Sequence, residues 1–468
     1  MPLQAEPLQN HMGTHQKNFG AGKPGAKVGI GIVFLTIFID LVGFSIIFPL
    51  FPDMLDYYLR LEQESGNKGG LSQLIQILPE KTQHGLNLQT VLFGGILGSL
   101  YSLLQFVFSP IWGGLSDKLG RRRVLIYTVS ATAIGYFVWI FSGNIWLLLL
   151  SRAIAGIASG NITVATAAVA DLTSRENRAK GMALVGVAFG LGFTIGPAIG
   201  GISSTWSSGW ESFGLNPFSF PAILSCMMAI INLILIHKFF KETLPETTNS
   251  PPPEKKRKLG RYPIFSIFRI EKNQILFLCL LYLIFFIAFS GMEFTLTFLA
   301  KERLKFGATF NGYMFIVIGV TMIIVQGGLV RKLAKPIGEK NLTFLGMICG
   351  IMAFLLLAYS PEIEIQEFVS GKFFTSRFFL GIICMSCAIG LISPCITSLV
   401  SLHSPVAQQG RNLGLLRSAG SLARVVGPIL ASSLYFLHSA TPTYVAGAIV
   451  LIIPLLLTLL LKLPSQKN

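Results

Sequence analysis

Charged residues are scarce in this chain of 468 residues, where they make up 12% of the sequence against 52% hydrophobic residues. This balance excludes an ordinary soluble globular protein, in which about a quarter of the residues are charged. The apolar residues are gathered into runs of about twenty or more, and each run can cross a hydrocarbon core of roughly 30 Å as a helix. The sequence therefore predicts an integral membrane protein.

Cysteines are few, and none lies outside an apolar run. The six are Cys226, Cys279, Cys349, Cys384, Cys387 and Cys395. No disulfide framework is expected from this placement. The spacing Cys384-x-x-Cys387 resembles a redox or metal site, but inside an apolar helix we interpret it as packing of small residues. No nucleophile–base constellation or metal cluster is present in the sequence pattern, so we expect neither an enzyme nor a metal or other cofactor.

Twelve apolar runs are spaced along the chain. We place the spans near 28–52, 89–112, 123–142, 145–170, 181–203, 218–238, 274–299, 311–331, 341–360, 376–400, 412–435 and 442–461. The connection near 53–88 is the longest on the predicted outer side, and we expect a loop there with a short surface helix. The fold class predicted is an all-α membrane protein with twelve transmembrane helices.

Basic residues are distributed unequally between the two sides of these spans. Residues within six positions of a span end are counted with the adjoining connection. Of the 37 Lys and Arg residues, 27 fall in the termini and even-to-odd connections, eight in the opposite connections, and two, Arg152 and Arg424, inside spans. Because Lys and Arg are retained in the cytoplasm, both termini are predicted to be cytoplasmic. The formal charge of +16 thus indicates topology and not a nucleic-acid partner.

A polar segment divides the chain into two halves of six spans. Residues 239–272 contain Pro251-Pro-Pro253 followed by Glu254-Lys-Lys-Arg-Lys258, a composition typical of a solvated linker. The predicted organisation is a disordered cytoplasmic tail (1–27, without the apolar core of a signal peptide), a six-helix bundle (28–238), a cytoplasmic linker (239–272), a second six-helix bundle (273–462) and a short cytoplasmic tail (463–468).

The connection between spans two and three carries the most specific motif. It reads Gly113-x-Leu115-x-Asp117-Lys118-x-Gly120-Arg121-Arg122-x-x-Leu125. This pattern resembles the signature of the major facilitator superfamily, with Lys118 where an arginine is usual. The resemblance implies two six-helix bundles that work by alternating access. It also implies an inner gate in which Asp117 lies at the start of span eleven and the arginines pair with acids such as Asp171.

Two further motifs resemble this superfamily. Arg152-x-x-x-Gly156-x-x-x-Gly160-Asn161 is similar to its fourth-helix motif, in which the arginine is associated with proton transfer. Gly192-x-x-x-Gly196-Pro197-x-x-Gly200-Gly201 is similar to the fifth-helix motif of antiporters. The two halves of the chain also contain similar sequences. Gly327-Gly-Leu329 is similar to the start of the signature loop, but this second copy has no acid at the position of Asp117.

Four charged residues near the middle of spans are candidates for the chemistry. They are Asp40, Glu293, Arg152 and Arg424. A charge at the bilayer centre costs roughly 2.5–3.5 kcal/mol, so such residues either pair structurally or serve function. An acid whose access to water alternates between the two sides can couple a proton to substrate movement. We predict Asp40, Glu293 and Arg152 as the proton-coupling residues, with Arg152 and Arg424 available to hold an anion.

Uncharged residues complete the predicted substrate site. Gln105, Asn161 and Gln326 are intramembrane amides that can contact a ligand or link helices. Phe44 and Phe294, next to the acids, offer flat surfaces to an aromatic substrate.

The favoured function is that of a secondary active transporter. Its closer resemblance is to tetracycline-transporter-like organic-anion carriers and drug:proton antiporters, carried by Leu92–Gly98, Gly160–Thr163, Val169–Asp171, Phe289–Thr295 and Leu416–Pro428. The resemblance implies exchange of small amphipathic organic molecules for protons by a monomer in the cell (inner) membrane. The alternatives are a lipid or lysolipid carrier, a non-coupled facilitator, and a non-transporting receptor or channel.

Overall fold

The computed structural model describes residues 26–47, 50–64, 88–204, 215–244, 274–304, 308–361 and 376–461, and within these ranges the chain forms helices and no strand. The helices are α1 (Ala26–Ser45), α2 (Phe51–Glu64), α3 (Leu88–Leu119), α4 (Arg121–Ile140), α5 (Ile145–Ala158), α6 (Gly160–Leu172), α7 (Arg178–Ser204), α8 (Ser219–Phe239), α9 (Gln274–Leu304), α10 (Ala308–Ile324), α11 (Arg331–Ile337), α12 (Glu339–Ala358), α13 (Arg377–His403), α14 (Gln409–Leu437) and α15 (Ala440–Leu460). A π-helical turn, Val325–Val330, joins α10 to α11.

Each predicted span is occupied by helix, which confirms the predicted fold class. In the described part of the chain, ten helical segments are long and apolar enough to cross a membrane, and Gly29–Ser45 is a shorter apolar helix. Residues 1–25 of the predicted tail, the linker beyond residue 244 and the tail from residue 463 lie outside the described residues, whereas Ala26 and Lys27 belong to α1.

Polar side chains fix where several helices begin. The Asn144 side chain accepts a hydrogen bond from the Leu147 amide at 2.9 Å and starts α5. Ser376 accepts from the Phe379 amide at 3.3 Å and starts α13. Each cap satisfies an amide that the first helical turn leaves without a partner. Sequence and local structure therefore agree at these boundaries.

The end of the first span was predicted wrongly. Helix α1 ends at Ser45, and the residues from Phe51 begin the separate helix α2. The apolar run continues through this break, so hydropathy alone does not mark it. Met54 and Tyr58 of α2 are buried, and the Tyr58 hydroxyl donates to the Ser142 carbonyl at 2.7 Å. This short helix therefore packs on the predicted outer end of the first bundle.

The fourth span, Ile145–Leu172, has an irregular turn in its middle. It consists of α5 and α6, which are separated at Ser159. The Ser159 hydroxyl donates to the Gly156 carbonyl at 2.7 Å. Such a side-chain bond to the preceding turn competes with helix geometry. The interruption places Asn161 in the first turn of a new helix.

Helix pairing divides the molecule into two bundles that meet along several helices. In the first bundle α1 packs on α7 and α8, and α4 on α5 and α8; in the second, α12 packs on α13 and α15, and α9 on α14 and α15. Between the bundles, α3 packs on α14, while α7 packs on α10 and α13.

The outer surface of the bundles is apolar. On α4, Tyr127, Ile134 and Phe137 are 54–57% exposed, whereas Trp139 is fully buried. A soluble protein would not expose a continuous apolar face of this kind, whereas hydrocarbon is its natural surrounding. The exposed faces therefore agree with an integral membrane protein.

Candidate functional site

Asp40 lies in the interior of the first bundle. Its side chain is 9% exposed, and the Asn161 Nδ2 donates to its Oδ1 at 2.5 Å. The Asn161 oxygen in turn accepts from the Ile162 amide at 2.7 Å, which fixes the orientation of the amide group. The break at Ser159 makes this possible, because the first turn of α6 has a free amide. The structure thus connects α1 to α6 through a carboxyl group.

Arg152 packs against aromatic rings and forms no described ion pair with that carboxyl group. Its guanidinium carbon lies 4.7 Å from the Trp139 ring centroid and 5.8 Å from that of Tyr136. The Nη2 group donates to the Ser151 hydroxyl at 3.2 Å, and the side chain is 3% exposed. In this conformation the positive charge lies against aromatic rings. The ion pairs found among the described residues do not include Arg152. Arg152 is therefore paired with neither Asp40 nor Glu293 among the described ion pairs.

Tyr101 of α3 lies in the same region as these groups. It is within electrostatic range of Asp40, Arg152 and Arg424. Its ring centroid lies 4.4 Å from that of Phe44, so this predicted substrate-contacting ring packs on α3. Tyr101 therefore lies within electrostatic range of charged groups of both bundles, and the sequence analysis did not single it out.

Glu293 and Arg424 form the charged part of the second bundle. Glu293 is exposed although its helical neighbour Met292 is buried, and it lies within electrostatic range of Arg424. The ion pairs found among the described residues include neither of them. Because a carboxylate facing lipid would be costly, the proximity to Arg424 places Glu293 toward the space between the bundles. Beside it, Phe294 packs edge-on against Phe298 at 5.7 Å.

Arg417 belongs to the same region, and sequence reasoning missed it. We counted it with a connection because it falls within six residues of the predicted start of span eleven. Helix α14 in fact begins at Gln409, so Arg417 lies more than two turns inside it. Its guanidinium carbon is 4.5 Å from the Phe189 ring centroid on α7. The signal available in the sequence was its spacing of seven residues from Arg424, which puts both on one helix face.

Two of the predicted amides join the bundles. The Ser421 hydroxyl donates to the Gln105 Oε1 at 2.6 Å, so this pair connects α3 to α14. Gln326, in the π-helical turn, is 1% exposed and packs against Gly186 of α7, where a Cβ atom would collide with it. Both glutamines are therefore packed within protein in this conformation.

The signature loop closes the predicted cytoplasmic face. The two carboxylate oxygens of Asp117 accept hydrogen bonds from the Gly410 and Arg411 amides, each at 2.8 Å. These amides belong to the first turn of α14, where the helix dipole favours an anion. Gly113 packs so closely on Gly410 that a Cβ atom at either position would collide with the backbone of the other.

A buried ion-pair network holds the loop itself. Arg121 is fully buried, and it pairs with Asp117 at 2.7 Å and with Asp171 of α6 at 2.9 Å. Sequence reasoning missed Glu242, whose carboxylate accepts from the Arg121 and Arg122 amides at 2.8 and 3.1 Å. The first turn of α4 is therefore capped by a residue more than a hundred positions along the chain.

Further contacts surround this network. Gly120 has φ +97°, a conformation that favours glycine, and it lies so close to the Glu242 carboxylate that a side chain is excluded. The Thr243 hydroxyl donates to Asp171 at 3.2 Å, and Arg122 donates to the His237 carbonyl at 2.6 Å.

The other side of the same face is joined by different residues. Arg178 at the start of α7 donates to the Ser401 hydroxyl of α13 at 3.0 Å. An exposed ion pair, Lys335 with Glu176 at 3.6 Å, also crosses between the bundles. In the second half, Arg331 occupies the position that corresponds to Asp117. The two sides of the face are thus closed by different chemistry.

The glycine-rich motif of the fifth span packs against α1. A Cβ atom at Gly196 would collide with Ser45, whose hydroxyl donates to the Gly192 carbonyl at 3.0 Å. Pro197 follows within α7, and Gly200 lies one turn farther along. The motif therefore permits close approach of α7 and α1.

Comparisons with known proteins agree with this architecture. A family profile described as Major Facilitator Superfamily matches residues 33–367. The chain is similar to major facilitator superfamily domain-containing protein 10 of Bos taurus, with 32% identity over 93% of each chain. It is also similar to the class H tetracycline resistance protein of Pasteurella multocida, with 26% identity over 92% of this chain and 94% of that protein.

Solved structures give the same result. The crystal structure of the human organic anion transporter MFSD10 (TETRAN) is 30% identical, covers 93% of this chain and 100% of that one, and has a TM-score of 0.78. The Escherichia coli fucose:proton symporter FucP, at 14% identity and a TM-score of 0.64, shares the fold. The chain is an integral membrane protein that belongs to the major facilitator superfamily.

Proposed function

We propose that this protein is a proton-coupled secondary transporter that exchanges small amphipathic organic anions for protons by alternating access. The observation that carries the proposal is that two acids lie in the middle of the bundles. Guanidinium groups that take part in no described ion pair lie there as well. Asp40 is buried and hydrogen-bonded to Asn161, whereas Glu293 is exposed near Arg424. The similar proteins include one named as a human organic anion transporter and others named as tetracycline resistance proteins, which supports a small organic molecule as the substrate.

The two acids have different surroundings, which suits different roles. Asp40 is a carboxyl group whose described hydrogen-bond partner is a neutral amide, so its protonation need not break an ion pair. Glu293 shares its surroundings with Arg424, so its charge affects how an anion binds there. We therefore assign proton exchange to Asp40 and adjustment of anion affinity to Glu293, while Arg152 rests on Trp139 and Tyr136.

The orientation proposed follows the charge distribution. With both termini in the cytoplasm of a monomer in the cell membrane, Asp117 and Arg121 close the cytoplasmic face in this structure. The inner gate is then shut, and exchange of substrate would occur from the outside.

The test is uptake into proteoliposomes under an imposed pH gradient, with organic anions, cationic drugs and lysolipids as substrates. A neutral amide cannot exchange a proton, so Asp40→Asn should reduce gradient-driven accumulation to the passive level while counterflow continues. Glu293→Gln should change the apparent anion affinity and retain accumulation. Glu64→Gln, which removes an exposed acid at the end of α2, is the matched control and should behave as the wild type.

The substrate panel separates the alternatives. Transport of lysolipids without dependence on the gradient would favour a lipid carrier. Equal accumulation by Asp40→Asn, Glu293→Gln and the wild type at every pH would show that neither acid couples protons.

A further inference from the structure

Arg417 carries a positive charge that the described residues leave without an acidic partner. No ion pair or side-chain hydrogen bond to it is found among them, and the side chain is partly exposed. Its described contact is the face of Phe189, which lies on the other bundle.

A second arginine lies on the same face of α14. Arg424 follows Arg417 by seven residues, which corresponds to about 10 Å along the helix. The two guanidinium groups are within electrostatic range of each other and therefore repel. Glu293 is within range of Arg424, so Arg417 is the less compensated of the two. Tyr282 and Tyr101 lie near Arg417 and add aromatic surface to the site.

The place of Arg417 in the fold connects this charge to the closed gate. Its neighbour Ser418 donates to the Phe106 carbonyl of α3 at 2.6 Å, and Ser421 bonds Gln105 one turn farther along. Arg417 therefore sits on the stretch of α14 that joins the two bundles. A cation–π contact is weaker than a charge-assisted pair with an anion, so a bound carboxylate can replace it.

We propose that the anionic group of the substrate binds Arg417, with Arg424 beside it, and that this binding detaches Arg417 from Phe189 and so promotes separation of α14 from α7. The ligand class is an aromatic carboxylate or sulfonate, since Tyr282 and Tyr101 near Arg417 offer ring faces to the substrate. The inference rests on the proposed function, because it names the residue through which an organic anion acts on the gate.

Binding to the purified full-length protein in nanodiscs tests the first step. The probes are naphthalene and biphenyl carboxylates and sulfonates, each compared with its neutral methyl ester or amide. Arg417→Gln should weaken binding of the anions by roughly 10- to 100-fold, the range for losing a hydrogen-bonded charge, and leave the neutral probes unaffected. Lys332→Gln, which removes an exposed basic side chain of α11, is the control and should bind as the wild type.

Phe189→Leu separates a ligand role from a structural one. Removing the ring abolishes the competing contact, so the anions should bind at least as tightly as they bind to the wild type. Spin labels on Glu176→Cys and Lys335→Cys, an exposed pair that spans the two bundles, report the opening. Anion should lengthen that distance in the otherwise unchanged protein and leave it unchanged with Arg417→Gln.

The outcomes distinguish the two proposals. If the wild type binds none of the anionic probes, the proposed function itself fails. If it binds them but Arg417→Gln binds equally well, or Phe189→Leu weakens binding as much as Arg417→Gln does, only the role of Arg417 is overturned. Unfolding temperatures of all variants, compared with the wild type, show whether a loss of binding reflects a loss of fold.

Discussion

Replacing Asp117 by asparagine should shift the protein away from the conformation closed on the predicted cytoplasmic face. The Asp117 side chain is 5% exposed and accepts two backbone amides of α14 at 2.8 Å. It also pairs with Arg121 at 2.7 Å. The amide contacts join the two bundles, so they are lost when the bundles separate on this face. A change at Asp117 therefore acts on one conformational state.

The size of the effect follows from the bonds that asparagine cannot make. Its carbonyl oxygen can keep one of the two amide bonds, without the charge, but its NH2 group would face the other amide. Hydrogen bonds to charged groups contribute about 1.5–3 kcal/mol each. Because Arg121 keeps its pair with Asp171 at 2.9 Å, we expect a net loss of about 2–3 kcal/mol from the closed state. This corresponds to a change of about 30- to 150-fold in the conformational equilibrium.

Distance measurements between labels at residues 118 and 411, near the exposed edges of α3 and α14, detect this change. The control is Glu176→Gln, which removes the exposed pair with Lys335 on the same face. An exposed ion pair is worth about 0.5 kcal/mol, so this control should move the equilibrium by about twofold. Transport by Asp117→Asn should slow more than substrate affinity changes. Equal distance distributions for Asp117→Asn and the wild type would refute the reasoning.

The remaining predictions concern packing, capping and orientation. Gly113→Ala should destabilise the closed face because the added methyl group meets the Gly410 backbone. Gly114→Ala is the control and should not destabilise it, because the nearest neighbour of its Cβ atom is 4.0 Å away. The distances between labels at residues 118 and 411 compare the two variants. Glu242→Gln should lower the unfolding temperature by a few degrees by weakening the cap of α4, which calorimetry measures, and an unchanged temperature would show that the cap adds nothing. A cysteine introduced within 250–258 should react with an impermeant reagent only from the cytoplasmic side, and labelling from outside intact cells would reverse the topology.

The sequence predicted helices well where apolar runs have clear polar borders. Asn144 and Ser376 are caps next to such runs, and α5 and α13 begin at them. It failed where an apolar run contains a break, because hydropathy does not register backbone geometry. The end of α1 at Ser45 and the interruption at Ser159 are both of this kind. The second break orients Asn161 toward Asp40, so the missed feature is also the one that builds the site.

The candidate site likewise contains contacts that the sequence predicted and contacts that it did not. The contacts of Asp117 and Arg121 lie where the motif placed them, because a short loop leaves few possible partners. Glu242 was not identified as a partner of Arg121, since no local pattern reveals which distant carboxylate caps a helix. Arg417 was missed because its predicted depth depended on a helix boundary, which is the least certain quantity in such a prediction.

The separation of Arg152 from Asp40 is relevant to how a proton gradient could drive the protein between its two transport conformations. Arg152 rests on Trp139 and Tyr136, whereas Asp40 is bonded to Asn161, and Tyr101 lies within electrostatic range of both charges. If the arginine paired permanently with the acid, the carboxylate would stay ionised and could not release and recover a proton through the cycle. Contact with the rings of Trp139 and Tyr136 stabilises the Arg152 cation, and the Asp40 carboxylate is not held in an ion pair with it. A similar contact recurs at Arg417, whose guanidinium group lies over the ring of Phe189 on the other bundle.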